Sequence, residues 1–359
     1  MRPLLFLIAL TASAVELKPI SPAGVKPVGP YSPGIFAGDY LYISGQGGRD
    51  TAGKLPATFE AQSRQCLDNV KAVLEAAGLN MFHVVHVQVY LTEMKNYDAL
   101  NRIFTEYFPK DAPARSTIGV ARMPTETPVE ITAVAVRDTK MRKVIALPNV
   151  PTGPASLGVQ VGDRLYMSGL WGRSPEGRTV PADPKSQVQY LVQRAQEVLK
   201  RVGLEMRNLV YANVYVDRAM PMELLADVLQ EVLPDETAVT VIQTDALPAG
   251  ASIEISGVAS KNLQRYGACT GLGETLYCQG RGGRVDEILA ALKVDLDAAK
   301  SNMSKVVATN VYIDDIDNFA VMNKTYGTAF GPVPPTRTTV QPLPKRAGRP
   351  NQISLIAFQ

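Results

Sequence analysis

Two charged residues lie in largely apolar surroundings, and their types suit acid–base chemistry on a small acid. Arg115 lies in residues 113–117 (PARST), where a polar loop gives way to an alternating run that is typical of a half-buried strand. A guanidinium at the start of such a strand offers a rigid fork for a carboxylate or phosphate. Glu130 lies within the run 129–135 (VEITAVA), where an unpaired carboxylate would be costly. Either the two residues simply pair with each other, or they act on a ligand.

The pattern around these residues recurs along the chain. Residues 38–45 (GDYLYISG) are matched 124 residues later by residues 162–169 (GDRLYMSG). Near the C-terminus, Arg337 follows Pro-Thr as Arg115 follows Pro-Ala. This self-similarity predicts three tandem copies of one module.

We divide the 359 residues into a leader and three repeats. Residues 1–14 combine Arg2, a short apolar stretch and a final Ala-Ser-Ala, which is typical of a secretory signal peptide. Repeat 1 spans 15–138, repeat 2 spans 139–260 and repeat 3 spans 261–359. No later stretch has the length and apolar character of a membrane span. We therefore expect an exported protein, periplasmic or secreted, that is soluble after signal cleavage and does not bind a membrane.

Repeat 1 resembles the Rid family, the reactive intermediate deaminases also called YjgF-type or endoribonuclease L-PSP-type proteins. The resemblance is carried by residues 29–32 (GPYS), residues 42–46 (YISGQ), Asn101, residues 113–117 and Glu130. Family members are typically homotrimers of one module, a chorismate-mutase-like sheet covered by two helices, with ligand clefts between neighbouring subunits. They hydrolyse enamines and imines of 2-amino acids to 2-oxo acids and ammonia. The resemblance therefore implies an enamine/imine deaminase, a hydrolase acting on C=N bonds.

The resemblance also implies a role for each matching residue. Arg115 would bind the substrate carboxylate, and Glu130 would activate the attacking water. Thr117 would offer a backbone carbonyl or hydroxyl to the same water. Three further residues would shape the cleft and hold ligand or water: Tyr31, Ser44 and Asn101. An imine is already electrophilic, so this chemistry needs neither a cofactor nor a covalent nucleophile.

Repeat 2 keeps the layout but has lost much of this set. Val239 stands in the place of the arginine, and Ala155 stands in the place of Tyr31. Glu254 is retained without an arginine in its own repeat, which indicates either a structural hydrogen bond or a partner from a neighbouring repeat. Trp171, the only tryptophan, is placed to fill the vacated cleft.

Repeat 3 is shortened and has lost the carboxylate. Arg337 and Asn323 match the arginine and the asparagine of repeat 1, whereas Gln352 stands in the place of Glu130. A glutamine can hydrogen-bond but cannot accept a proton as a carboxylate can. We therefore expect repeat 3 to bind an acid without turning it over, and we assign catalysis to the Arg115 cleft of repeat 1 alone.

The elements that must position these residues follow from the periodicity of repeat 1. Gly38-Asp39 predicts a hairpin between two short strands. Apolar spacing predicts helices over 59–77 and 97–108, and alternation predicts a strand over 84–91. The order β-β-α-β-α-β-β is typical of an α+β sandwich, one sheet covered by two helices. Packing three such sheets by their uncovered faces would give an intramolecular pseudo-trimer, a self-association of repeats within the chain.

Composition excludes several function classes. A formal net charge of +3, without basic runs interleaved with aromatics, argues against a nucleic-acid partner and against endoribonuclease activity. The only histidines, His83 and His86, would point to opposite faces of a strand and make a poor metal pair. No glycine-rich phosphate loop is evident, so we expect no metal and no cofactor. The alternative to a deaminase is a non-catalytic protein that binds small carboxylates or serves as a scaffold.

The third hairpin makes a prediction about the cysteines. Gly273-Glu274 occupies the turn that Gly38-Asp39 makes in repeat 1, which places Cys269 and Cys278 opposite each other. Directly opposite residues in a non-hydrogen-bonded pair lie about 4.5 Å apart at Cα, near the short limit for a disulfide. We expect a disulfide here in an exported chain, with reduced core cysteines as the alternative.

Overall fold

The protein consists of three mixed β-sheets of six strands each. The computed structural model describes residues 15–148, 150, 153–174, 179–234, 237–345 and 350–359. The predicted signal peptide, residues 1–14, lies outside this part of the chain. Within it, no helix has the length and apolar character needed to cross a membrane.

The first sheet belongs to repeat 1 and shows how each module is built. Its elements are β1 (Leu17–Ile20), β2 (Gly34–Ala37), β3 (Tyr40–Gly47), α1 (Phe59–Ala76), β4 (Val84–Leu91), α2 (Tyr97–Tyr107), β5 (Ala114–Gly119) and β6 (Val129–Val136). The strand order is β1-β2-β3-β6-β4-β5. Only β4 and β5 pair in parallel, and β5 lies at one edge of the sheet.

The second and third sheets repeat this plan. Repeat 2 contains β7 (Arg142–Ile145), β8 (Gly158–Val161), β9 (Arg164–Trp171), α3 (Pro184–Lys200), β10 (Leu209–Val216), α4 (Met222–Asp227), β11 (Ala238–Gln243) and β12 (Ile253–Ala259). Repeat 3 contains β13 (Leu263–Tyr266), β14 (Cys269–Leu272), β15 (Thr275–Gly283), α5 (Val285–Ala298), β16 (Val306–Tyr312), α6 (Phe319–Gly327), β17 (Thr336–Val340) and β18 (Asn351–Phe358). The edge strands equivalent to β5 are β11 and β17.

The predicted fold class, three repeats of one α+β module, is confirmed. Gly38 adopts φ +57° in the two-residue turn between β2 and β3, a backbone conformation that favours glycine. Thr58 caps α1 by accepting a hydrogen bond from the Ala61 backbone N–H. The sequence did not predict β1, because four residues that include Pro19 carry too little alternation to indicate a strand.

The three sheets close into a ring through their edge strands. β5 runs along β9 of repeat 2, β11 runs along β15 of repeat 3, and β17 runs along β3 of repeat 1. At two of these seams the arginine at the second position of the edge strand donates its backbone N–H to a neighbouring serine, Arg115 to Ser168 (2.8 Å) and Arg337 to Ser44 (2.9 Å). Each repeat therefore contributes its edge strand to one seam and its third strand to the other.

Packing within and between repeats uses the two faces of each sheet. Helices cover the outer face, where α1 buries Cys66, Leu67, Val70 and Leu74 over the first sheet. The inner faces meet around the axis and bury side chains from all three repeats. Among them are Tyr90, Tyr215 and Tyr312, with 3.2 Å between the hydroxyls of the last two. The sheet faces that a single module would expose are thus buried within one chain.

Candidate functional site

Two of the seams hold cavities that are lined by an arginine and a glutamate. The 3–1 cleft, between repeats 3 and 1, has a volume of about 350 Å³ and is lined by Arg337 and Glu130. The 1–2 cleft, between repeats 1 and 2, has a volume of about 230 Å³ and is lined by Arg115 and Glu254. Each cleft takes its arginine from one repeat and its glutamate from the next.

The prediction that Arg115 and Glu130 share one cleft is wrong. Arg115 lies on edge strand β5, which meets repeat 2. Glu130 lies on β6, between β3 and β4, and lines the cavity at the seam with repeat 3. Because the ring passes each repeat's edge strand to its neighbour, the arginine and the glutamate of one repeat serve different seams. Thr117 and Asn101 go with Arg115 to the 1–2 cleft.

Arg337 is held in the 3–1 cleft by aromatic rings from both repeats. Its side chain is buried, and its guanidinium carbon lies 4.9 Å from the ring centre of Tyr326, 5.3 Å from that of Phe319 and 5.4 Å from that of Tyr31. Such rings attract a cation without neutralising its charge. The guanidinium is therefore positioned but still available to an anion.

The loop before β2 closes tightly over this guanidinium. A Cβ added at Gly29 would lie 2.8 Å from Arg337 Nη2 and 3.1 Å from Asn323 Nδ2. The Oδ1 atom of Asn323 is buried and accepts no hydrogen bond from the described residues. Tyr31, at the end of the same loop, lines the cavity. The structure thus brings together Tyr31, Asn323, Arg337 and Glu130.

Ser44 has a structural position rather than one on the cavity wall. Its hydroxyl accepts the Arg337 backbone N–H and donates to the Ser32 carbonyl at 2.6 Å. Ser168 makes the equivalent pair of contacts with Arg115 and Ser156. Ser44 and Ser168 therefore each join neighbouring repeats, which explains why this serine is present in both repeats 1 and 2.

Glu130 is a buried carboxyl whose environment favours the protonated form. Burial raises its pKa to about 8, and the charge of Arg337 acts in the opposite direction. Gly45 allows the carboxyl to approach β3, since an added Cβ there would clash with Oε1. No hydrogen bond from the described residues contributes to its pKa. The group is thus poised to lose or gain a proton near neutral pH.

The 1–2 cleft holds its arginine differently. Arg115 Nη2 donates to Asn101 Oδ1 (2.7 Å) and to the Tyr97 hydroxyl (3.2 Å), and its guanidinium lies 4.8 Å from the ring centre of Phe104. Nη1 is buried and has no hydrogen-bond partner in the described part of the chain. Ala155 lines the cavity in the position that corresponds to Tyr31.

Glu254 has the neighbouring partner that the sequence left open as one of two alternatives. It accepts hydrogen bonds from the Ser116 hydroxyl and from the Thr117 backbone N–H, both in repeat 1. Burial raises its pKa to about 8, while these bonds and Arg115 lower it. Glu254 therefore ties β12 to the neighbouring edge strand, whereas no such bond from the described part of the chain reaches Glu130.

The remaining seam, between repeats 2 and 3, lacks both charges. Val239 and Gln352 stand where the arginine and the glutamate would be. Thr240 packs tightly here, because a Cβ added at Gly280 would lie 2.7 Å from its Cγ2. The one arginine on this part of β15, Arg281, forms a 2.6 Å ion pair with Asp295. Among the residues that the structure describes, this seam has neither the arginine nor the glutamate that the other two clefts share.

The histidines and cysteines lie outside the clefts. His83 Nδ1 lies 3.1 Å from Asn80 Oδ1, and burial lowers the pKa of His86 to about 4. Across the described ranges, no group of three or more His, Cys, Asp or Glu residues is arranged to hold a metal ion. Cys269 and Cys278 pair directly across β14 and β15 and form a disulfide, with Cα atoms 4.0 Å apart.

A family model described as Endoribonuclease L-PSP matches residues 22–137, 148–261 and 272–347. The chain belongs to this family. One match falls on each of the three sheets, so each sheet with its helices corresponds to one L-PSP module. The predicted Rid-type relationship and the tandem repetition are thereby confirmed.

Curated relatives correspond to single L-PSP modules. A RutC family protein of Pyrococcus horikoshii is 41% identical over 115 residues, which cover 32% of this chain and 91% of that protein. Escherichia coli K12 has a protein named 2-iminobutanoate/2-iminopropanoate deaminase that is 39% identical over 114 residues, 31% of this chain and 89% of that protein. A similarly named protein of Dermatophagoides farinae is 36% identical over 118 residues, 32% of this chain and 92% of that protein.

The family resemblance implied clefts between neighbouring modules, but not that the arginine and the glutamate of one repeat line different clefts. It did not assign Phe319 and Thr339, which line the 3–1 cleft beside Arg337. The signal was present in the losses, since repeat 2 has lost the arginine (Val239) and repeat 3 has lost the glutamate (Gln352), the two positions that meet at one seam. Arranging the repeats as a ring before assigning partners would have paired them.

Proposed function

We propose that the chain hydrolyses small 2-imino acids, formed from 2-enamines, to 2-oxo acids and ammonia at the 3–1 cleft. The observation that carries this proposal is the placement of Arg337 and Glu130 on the walls of one cavity. A buried guanidinium held by rings suits a carboxylate, which it binds through two parallel charge-assisted hydrogen bonds. A carboxyl with a pKa near 8 suits proton transfer at neutral pH.

The proposed steps need no group beyond those in the cleft and one water molecule. Glu130 begins protonated and gives its proton to the imine nitrogen, which makes C2 more electrophilic. Water then adds to C2, and the resulting Glu130 carboxylate accepts a proton from that water. The product is a 2-amino-2-hydroxy acid. Glu130 next protonates its amino group, ammonia leaves as the C–N bond breaks, and the hydroxyl proton returns to Glu130 as the 2-oxo acid forms.

Two relatives support the choice of reaction by their names. The proteins of Escherichia coli and Dermatophagoides farinae are named 2-iminobutanoate/2-iminopropanoate deaminases, and each resembles one third of this chain. Their named substrates are small 2-imino acids, a class with one carboxylate for Arg337 and one C=N bond for Glu130. The 3–1 cleft is therefore proposed to act on acids of this size or somewhat larger.

A matched pair of glutamine variants tests the proposed role of Glu130. Glu130→Gln removes the proton donor and acceptor, whereas Glu254→Gln makes the same change in the 1–2 cleft. With 2-iminobutanoate generated in the assay, we expect Glu130→Gln to lower ammonia release at least about a hundredfold and to retain 2-oxobutanoate binding. We expect Glu254→Gln to stay within about threefold of the parent. Unchanged turnover in Glu130→Gln would refute the proposal.

A further inference from the structure

The 1–2 cleft differs from the 3–1 cleft in how its wall is charged. Arg173 and Arg194 line it in addition to Arg115. The residues 124 positions earlier, which occupy the corresponding places in repeat 1, are Arg49 and Val70. Arg49 also lines the 3–1 cleft but is hydrogen-bonded to the Thr125 and Gly53 carbonyls, and Val70 lies in the apolar core. Only the 1–2 cleft therefore has a buried second arginine on this wall.

The two extra guanidiniums are close enough to affect each other. Burial lowers the pKa of Arg173, and the charge of Arg194 lowers it further. Arg194 is itself only 8% exposed, and its contacts include the Ser174 carbonyl at 3.5 Å and Glu197 at 3.5 Å. Each guanidinium has five N–H donors, so both can donate to one carboxylate in the cavity while they keep their partners within the protein.

Arg115 supplies a separate anion site in the same cavity. Its Nη2 is bonded to Asn101 and Tyr97, but its buried Nη1 has no partner among the described residues. A buried, unsatisfied donor on a cation is costly, and a carboxylate would satisfy it. Among the described residues that line the cavity, the other acidic groups do not satisfy it, since Asp98 is exposed at the rim and Glu254 is bonded to Ser116.

The ligand that reaches both arginine sites must also fit the space between them. Ala155 stands where the 3–1 cleft has a tyrosine, and Leu170 and Trp171 line the cavity. An aliphatic chain between two carboxylates matches these surfaces. At neutral pH the buried Glu254, whose pKa is about 8, is mostly uncharged and does not repel an anion.

We infer that the 1–2 cleft is a binding site for a four- or five-carbon dicarboxylic acid. One carboxylate is held by Arg115, and the other is held at the wall formed by Arg173 and Arg194. The site binds without hydrolysis, because the Glu254 carboxyl is engaged by Ser116 and the Thr117 backbone N–H. This inference does not depend on the activity of the 3–1 cleft.

Trp171 provides a direct readout of this cleft, since it is the only tryptophan in the chain and lines this cavity. Its fluorescence is followed while succinate or glutarate is added to the intact protein at constant ionic strength. Butanoate and pentanoate, which lack the second carboxylate, are the matched controls. We expect a saturable change, with the dicarboxylates binding about tenfold or more tightly than the monocarboxylates.

Four variants assign the two ends of the ligand, with circular dichroism verifying that each is folded. Arg173→Gln and Arg194→Met should each remove most of the preference for dicarboxylates and leave monocarboxylate binding within about threefold. Arg115→Ala should weaken both ligand types, whereas Arg337→Ala should change neither. The inference is overturned if the dicarboxylates bind no more tightly than the monocarboxylates, if Trp171 shows no saturable response, or if Arg337→Ala abolishes it.

Discussion

At the scale of single residues, the decisive feature is that one buried carboxyl accepts no hydrogen bond from the described residues, whereas its counterpart is hydrogen-bonded to the neighbouring strand. Glu130 and Glu254 are matched in sequence, burial and pKa. They differ because Ser116 and the Thr117 backbone N–H bond to Glu254, while no such bond from the described residues reaches Glu130. The same residue type in the same fold position thus serves cohesion in one cleft and is available for chemistry in the other.

The proposed acid role of Glu130 predicts the pH dependence of turnover. The free enzyme must hold Glu130 protonated to activate the imine, and its pKa is about 8. We therefore expect kcat/KM to fall as pH rises through about 8, approaching tenfold per pH unit above it. The measurement is a pH profile with 2-iminobutanoate, corrected for the protonation of free imine. A rate that rises through pH 8 would instead indicate that ionised Glu130 is the required form.

At the scale of elements, the two buried glutamates make the stability of the packed strands depend on pH. Both pKa values are raised in the folded state, so the folded protein binds more protons than the unfolded chain between about pH 4.5 and 8. The contribution of these two carboxyls to stability is therefore greatest at the acidic end of this window and falls as pH rises, by up to about 1.4 kcal/mol per pH unit for each group.

Glutamine variants should flatten that dependence, because glutamine does not titrate. The free energy of unfolding of Glu130→Gln, measured by urea denaturation at pH 5 and pH 8, should change less between the two pH values than that of the parent. Relative to the parent, the variant should gain stability at pH 8. Glu254→Gln should show a smaller gain, since it also weakens the contact with Ser116. An unaltered pH dependence in both variants would show that neither carboxyl has a raised pKa.

The disulfide between β14 and β15 makes a separate prediction about the third hairpin. Peptide mass mapping of the unreduced protein should recover Cys269 linked to Cys278, with Cys66 as a free thiol. Replacing both linked cysteines by serine should lower the free energy of unfolding by about 2–4 kcal/mol, since the unfolded chain loses a constraint. Recovery of all three cysteines as free thiols would exclude the linkage.

The sequence predicted the elements well and the partners between elements poorly. Helix and strand positions in repeat 1 follow from local apolar spacing, and α1, α2 and β4 agree with the structure within one residue at each end. The partner of Glu130 lies more than 200 positions away in Arg337, so local spacing carries no information about it. Only the order in which the sheets join determines that partner, because β17 meets β3.

At the scale of the whole molecule, joining three modules in one chain allows the residues at each seam to differ from those at the other two. In a trimer of identical modules every cleft has the same residues. Here the 3–1 cleft retains the arginine, asparagine, tyrosine and glutamate, the 1–2 cleft has exchanged the tyrosine for Ala155, and the 2–3 seam has lost both charges. Tandem repetition has thus allowed three equivalent positions to take different roles.

Because the three repeats assemble within one chain, we predict that the clefts form without association of further chains. The three repeats have a high effective concentration for each other, and their inner faces already bury one another. Light scattering should give the mass of one chain, 38.8 kDa less any cleaved leader, across a wide dilution series. A trimer of whole chains that dissociates on dilution would contradict this arrangement.

The central claim, that the catalytic arginine comes from repeat 3 and not from repeat 1, is tested most directly by two alanine variants. Arg337→Ala and Arg115→Ala each remove one buried guanidinium from the second position of an edge strand. With 2-iminobutanoate as substrate, we expect kcat/KM to fall about a hundredfold or more in Arg337→Ala, as a loss of about 2–5 kcal/mol of carboxylate recognition implies. Arg115→Ala, verified as folded, should stay within about threefold of the parent. Hydrolysis that survives in Arg337→Ala and is lost in Arg115→Ala would contradict the account.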